Sequence, residues 1–175
     1  MIKIAISAAE TSGDLIGSTL VQALKAQDPT LNIEGLCGEK MQTQGCIKHW
    51  DMSLVNVMGF SEVLKKLPSL LRLRKSIVEY FSQHKPDVFI GVDAPDFNFV
   101  IERKLKSLGI KTVHFISPSV WAWRASRVKK IKRSSDLILC LFPFEVDFYT
   151  HHNQRAVFVG HPLAEKLTPR KNHQS

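Results

Sequence analysis

"PDVFIGVDAPDFNFVIERKLKSLGIKTVHFIS", residues 86–117, reads as one strand–helix–strand unit, and that reading decides the fold. "DVFIGV" is a short apolar run with no alternation, the pattern of a strand buried on both faces of a parallel sheet. It ends at Asp93. "FNFVIERKLKSLG" (97–109) has helical spacing, with Gly109 placed as the residue just past the helix end. "KTVHFIS" (111–117) is the next strand. Two parallel strands need a crossover of this length, and the crossover is right-handed.

The same alternation runs outward in both directions. Toward the N-terminus, "IKIAIS" (2–7) is a strand, 13–27 a helix with Leu15, Ile16, Leu20, Ala23 and Leu24 at helical spacing, 32–38 a strand and 39–45 a short helix. Asp28-Pro29 stops the first helix. Toward the C-terminus, 121–133 is a helix, 136–142 a strand, 143–152 a helix opening on Pro143, and 156–160 a last strand. Such a chain folds as a doubly wound α/β domain, a mostly parallel sheet flanked by helices. Residues 1–163 form this domain, and 164–175 are read as a polar tail or a truncated linker. Ligands bind such sheets outside the carboxyl ends of the strands. The loops to watch are therefore 8–14, 92–97, 117–123, 142–145 and 160–163.

The 175 residues are 44% hydrophobic and 23% charged, long enough for one proper core. A net charge of +8 favours an anionic partner: nucleic acid, a phosphorylated ligand or an acidic membrane surface. Cys37, Cys46 and Cys140 are odd in number and widely spaced, so neither a disulfide framework nor a zinc ribbon is expected, and the thiols read as buried or incidental in a reducing compartment. The first residues enter a strand directly, with no signal-peptide pattern, and no apolar run approaches the roughly 20 residues of a spanning helix. The reading expects a cytoplasmic protein, with contact to a membrane from that side left open.

Four stretches carry chemistry. In "SAAETSGD" (7–14), Ser12 and Gly13 lie where a strand turns into a helix, a place whose backbone N–H groups hold anions. The loop is neither G-x-G-x-x-G nor a Walker lysine loop. Glu10 there is read as orienting a sugar hydroxyl or acting as a base, Asp14 as a helix cap. In "GVDAPDFN" (91–98), Asp93 emerges at the ligand edge as a candidate general base, and Asp96 is placed to cap the next helix. In "SPSVWAWR" (117–124), Pro118 fixes a turn; Trp121 and Trp123 cannot share a helix face, so one packs inward and the other lines a cleft with Arg124. Arg127, Lys129, Lys130, Lys132 and Arg133 beyond them read as a solvated face. Binding of single-stranded nucleic acid has only the charge in its favour, since no RNP-type strand is present, and no nucleic-acid partner is assigned.

The fourth stretch, "MGFSEVLKKLPSLLRLRKSIVEYF" (58–81), is helical around an expected break at Pro68. It has more leucine than one core stripe needs. Phe60, Val63, Leu64, Leu67, Leu70, Leu71 and Leu73, interleaved with Lys65, Lys66, Arg72 and Arg74, suit an anionic membrane interface; a well-buried helix with a basic outer face suits them equally.

Taken in order, "AETSGD", "VMGFSEVL", "PDVFIGVDAPDFN", "SPSVWAWR", "LFPFE" and "FVGHPL" resemble the lipid-A-disaccharide synthase family. The resemblance implies an inverting glycosyltransferase of the two-Rossmann-domain (GT-B) architecture. Members join UDP-2,3-diacylglucosamine to 2,3-diacylglucosamine 1-phosphate (lipid X), on the inner face of the cytoplasmic membrane, with no metal or other cofactor. It further implies that Asp93 is the base for the acceptor hydroxyl and that Glu10 is a second required carboxylate. The candidate substrate-binding set is Ser12, Gly13, Asn98, Ser119, Trp121, Trp123 and Arg124. Two departures stand out. Ala9 replaces the family's glycine before the glutamate. Members are also about twice as long, so the chain is expected to be the acceptor-side half, inactive alone, with the UDP-sugar site in a missing C-terminal domain. A non-catalytic lipid- or nucleotide-sugar-binding module of the same fold is the competing reading.

Overall fold

The computed structural model describes residues 2–55, 60–118 and 126–162, without the side chains of 60–66, 126 and 127. Strands and helices alternate as β1 (Lys3–Ala8), α1 (Thr11–Gln27), β2 (Asn32–Cys37), α2 (Glu39–Thr43), β3 (Ile47–Asp51), α3 (Phe60–His84), β4 (Val88–Val92), α4 (Pro95–Ser107), β5 (Lys111–Phe115), α5 (Ser126–Ser134), β6 (Leu137–Cys140), α6 (Pro143–His151) and β7 (Ala156–Phe158). The seven strands form one sheet in the order β3-β2-β1-β4-β5-β6-β7, and every pair is parallel. The order reverses between β1 and β4. From β1 the chain winds outward through β2, and from β4 it winds the other way through β5. The loops leaving β1 and β4 thus part at this point and leave a crevice between them.

Successive side chains of a strand point to opposite faces, so a sheet covered on both sides needs apolar residues at every position. Ile4, Ile6 and Ala8 of β1 pack with Ile33 and Met41 in one layer. Ala5 of β1 packs with Leu36, Phe89, Ile77, Phe81, Ile101 and Leu105 in the other. Leu73, Ile77 and Phe81, spaced by four residues, are the stripe that α3 buries in this second layer.

Two elements differ from the sequence reading. β3 was not anticipated, because "IKHWD" is an edge strand with only Trp50 half-buried. It is held by side chains as well as ladder bonds: His49 Nε2 lies 2.7 Å from Glu34 Oε2, and the Tyr80 hydroxyl 3.2 Å from the same nitrogen. The expected break at Pro68 is absent, and α3 runs through it as one helix. The loss of one N–H there is outweighed by the long apolar face buried further along.

The end of α4 follows expectation closely. Gly109, at φ +86°, donates to Lys106 O at 3.0 Å, and Ile110 donates to Leu105 O at 3.1 Å. This is a Schellman end, with Ile110 and Leu105 closing the apolar contact beneath it. Gly91 has a different role. A Cβ on it would land on the Glu102 carboxylate and come within 2.9 Å of Asn98 Cβ, so α4 lies almost directly on β4. Gly91→Ala is therefore expected to lose about 3 kcal/mol of stability, read as a lower urea midpoint at unchanged m-value.

Candidate functional site at the reversal of strand order

Asp93 and Ala94, between β4 and α4, both have left-handed backbones, at φ +53° and +41°. Neither is glycine, so each costs about 1–2 kcal/mol. Ile116, just past β5, stands at φ +78°, a rarer state still for a β-branched residue. Strain of this kind persists only where surrounding bonds over-determine the chain, and it gathers at functional sites. The bonds are identifiable. Asp93 N donates to Phe115 O at 2.9 Å, and Ile116 N to Leu139 O at 3.1 Å. Both Phe97 N and Asn98 N donate to Ala94 O, at 2.9 and 3.0 Å.

Asn98 completes the constraint. Its Oδ1 accepts the Ser7 hydroxyl at 2.7 Å. Its Nδ2 donates to Asp93 O at 2.8 Å, with Val92 O at 3.2 Å and Ser7 O at 3.3 Å sharing the remaining N–H. The amide is fully buried. This corrects the expectation that Asn98 contacts substrate: its hydrogen-bonding capacity is spent on tying β1, β4 and α4 together. One turn along, Glu102 pins α4 to β5 and to the loop before β6. His114 Nδ1 lies 2.7 Å from Glu102 Oε1, and Ser135 Oγ donates to Oε2.

Across the crevice, Glu10 is the N-cap residue of α1 but makes no side-chain cap bond, and its side chain is exposed. Ser12 Oγ donates to Asp93 Oδ2 at 3.2 Å, the direct link between the two loops. Gly13 is buried; a Cβ on it would be 3.3 Å from Val92 O, so what it permits is close packing of the two loops. Asp14 caps a helix, though not its own: its carboxylate accepts from Gly38 N at 2.9 Å, Lys40 N at 3.1 Å and Met41 N at 3.2 Å, at the start of α2. Asp96 does not cap α4 as expected. It lies inside the first turn, its side chain is 95% exposed, and Lys130 Nζ stands 3.7 Å away.

A groove of about 590 Å³ lies between these loops and α3, with Glu10, Ser12, Leu70, Arg74, Ala94 and Asp96 on its walls. Asp93 is half-buried and does not itself line the groove; its carboxylate accepts from Ser12, which does. The leucines of α3 divide. Leu73 is buried in the core, which corrects its assignment to a membrane face. Leu70 lines the groove, while Leu67 and Leu71 stay 44% and 52% exposed beside exposed Arg72. The side chains of Phe60, Val63, Leu64, Lys65 and Lys66 lie outside the described residues, as do Ser119, Trp121, Trp123, Arg124 and the tail 164–175. Ser117, at the head of the Trp loop, is turned inward with its hydroxyl 2.9 Å from that of buried Tyr149, whose phenol burial pushes above its ordinary value. In α5, Val128 and Ile131 are buried and Lys129, Lys130, Lys132 and Arg133 exposed, the solvated basic face that was expected.

Among the described residues no group of three or more His, Cys, Asp or Glu side chains converges to hold a metal. All three cysteines are free and buried, and burial pushes the Cys140 thiol up to about 12. No described helix is long and apolar enough to cross a membrane.

The family model "Lipid-A-disaccharide synthetase" matches residues 4–175. The chain belongs to this family. Curated lipid-A-disaccharide synthases from Methylobacillus flagellatus, Pseudoalteromonas translucida and Francisella philomiragia are 51%, 50% and 48% identical to it, each over 95% of the chain. The chain spans only 43–44% of the length of these relatives. Among solved structures, Acinetobacter baumannii MurG superposes with a TM-score of 0.54 at 16% identity, over 82% of this chain and 42% of that one. A UDP-GlcNAc 2-epimerase from Neisseria meningitidis, bound to UDP-GlcNAc, superposes at 0.58 and 10% identity, over 97% and 51%. These two likenesses are of fold, and they agree with the Rossmann-like architecture expected.

In this lipid-A-disaccharide synthetase domain, the family's two expected carboxylates therefore flank one crevice, and the groove wall is completed by a residue assigned elsewhere, Arg74. Its spacing contained a signal: it lies four residues after Leu70, on the flank of the Leu73–Ile77–Phe81 stripe. Asn98→Asp should place a carboxylate against three carbonyl oxygens. It is expected to lose at least about 3 kcal/mol, measured by urea unfolding, whereas Glu10→Gln, at an exposed side chain, leaves the midpoint within about 0.5 kcal/mol.

Proposed function

We propose that the chain is the acceptor-side, N-terminal half of a lipid-A-disaccharide synthase. The reaction joins UDP-2,3-diacylglucosamine to 2,3-diacylglucosamine 1-phosphate, giving the tetraacyl disaccharide 1-phosphate and UDP. The observation that carries the reading is the position of Asp93, half-buried on a strained turn at the reversal of strand order and hydrogen-bonded to Ser12 on the wall of a groove.

In this reading Asp93 takes the proton of the acceptor's 6′-hydroxyl as that oxygen attacks the donor's anomeric carbon. The new C–O bond forms as the bond to UDP breaks on the opposite side, so a single displacement inverts the centre. A base is useful here only if held at a fixed angle. The Asn98 bond to the Asp93 carbonyl and the Ser12 bond to its carboxylate support that role. Glu10, exposed on the same groove without a cap bond, orients sugar hydroxyls. The donor's nucleotide is held by a second Rossmann domain, in keeping with the relatives' greater length. Leu67 and Leu71, exposed beside the groove's Leu70, guide acyl chains and rest on the anionic inner face of the cytoplasmic membrane, with Arg72 meeting headgroups.

Incubated with both lipid substrates, the isolated chain is expected to show no turnover; release of UDP by it would refute the half-enzyme reading. In a full-length relative, Asn at the position aligned with Asp93 should lower kcat by about 10²–10⁴-fold. A near-normal rate across pH would remove Asp93 as base and leave the binding-module reading. Replacing both Leu67 and Leu71 by Glu should weaken cosedimentation of the chain with anionic vesicles at least about tenfold while leaving its unfolding midpoint within about 1 kcal/mol.

A further inference from the structure

Arg74 has a charge with no ion-pair partner among the described residues. Its Nη2 donates to the backbone of Asp96, at 2.8 Å, and its guanidinium lies over the Phe97 ring, 5.1 Å from the centroid. Its Nε is buried without any hydrogen-bond partner among the described residues. The carboxylate of Asp96 does not neutralise it, being 95% exposed, with Lys130 at 3.7 Å. Burial pulls the guanidinium below its ordinary value, with Asp96 opposing, yet an arginine stays charged at any pH the protein meets. A buried N–H left without an acceptor costs about 1–3 kcal/mol. Such a cost is commonly recovered when a ligand arrives.

Three features of the groove define that ligand. Arg74, on the groove wall, is held at Nη2 by the Asp96 carbonyl, and the guanidinium N–H groups not spent on that bond suit two oxygens of one tetrahedral anion. The first turns of α1 and α4 also line the groove, at Ser12 and Pro95, and neither helix has a side-chain cap, so the positive ends of two dipoles face the same space. The carboxylates of Glu10 and Asp96 are exposed and screened by water, whereas the half-buried Arg74 acts through a lower dielectric. Leu70, Val55 and Phe97 stand beside the charge, so the anion belongs to a molecule that also has apolar parts.

We propose that Arg74 binds the phosphate of the glycolipid acceptor, and that this contact, rather than the acyl chains, distinguishes the phosphorylated acceptor from its unphosphorylated form. The assignment rests on the acceptor-half reading above. It moves Arg74 from the membrane face to the substrate groove and gives its charge a partner.

The test measures binding of three lipids in nonionic micelles to the 175-residue chain: 2,3-diacylglucosamine 1-phosphate, 2,3-diacylglucosamine and phosphatidylglycerol. The wild type should bind the first about ten- to a hundredfold more tightly than the second, the worth of one charged hydrogen-bonded contact. Arg74→Gln should lose that preference while binding unphosphorylated lipid as before, and Arg74→Lys should keep part of it. Equal losses for both glucosamine lipids in Arg74→Gln would show a packing role over Phe97 and overturn the proposal. Arg74-dependent binding of phosphatidylglycerol as tight as that of the phosphorylated acceptor would overturn it too, showing a general headgroup site. A wild type that binds both glucosamine lipids equally well overturns the phosphate contact alone, and one that binds neither overturns the acceptor reading itself.

Discussion

The side-chain amide of Asn98 ties three elements together at the ends of the strands. It accepts from Ser7 on β1 and donates to the carbonyls that close β4, from a position one turn into α4. An apolar residue of the same size would leave those groups buried and unpaired, at about 1–3 kcal/mol each. The amide thereby sets where α4 begins, and with it the left-handed geometry of Asp93 and Ala94. The backbone strain there is held by a network anchored on the fully buried Asn98 amide and Ser7 hydroxyl.

Around that point the architecture follows. Gly91 lets α4 settle on β4, Glu102 ties it to His114 and Ser135, and the Schellman end at Gly109 returns the chain into β5. With α4 held at both ends, the carboxylate of Asp93 and the groove wall at Ala94, Pro95 and Asp96 share one rigid support. A site built on a helix fixed in this way keeps its geometry better than one on a free loop. The division of labour in α3 is similar. One stripe, Leu73, Ile77 and Phe81, holds the helix to the sheet, and its flank at Leu70 and Arg74 lines the groove.

What could be read from residues alone follows the physics of burial. β1, β4 and β5 were legible because strands covered on both faces must be apolar throughout. β3 was not, because an edge strand needs only one half-buried residue, Trp50, and otherwise resembles a polar loop. Asp93 and Glu10 were legible as carboxylates at strand ends. Asn98 was misassigned because an amide that binds substrate and one that binds backbone are the same residue type, and only burial separates them. The turn at Asp93-Ala94 left no mark, since neither residue is one that favours a left-handed backbone as glycine does. Asp14 was expected to cap its own helix; it caps α2 instead, because its partners at positions 38–41 are set by tertiary packing that no local pattern encodes.

That last contact has a dynamic consequence. α2 has only five residues, too few to persist as a helix in water by themselves. Three of the backbone N–H groups at its start are held by a single carboxylate that α1 supplies. The two helices therefore form one cooperative unit: when α1 lifts from the sheet, α2 frays with it, and their amides exchange with solvent water together.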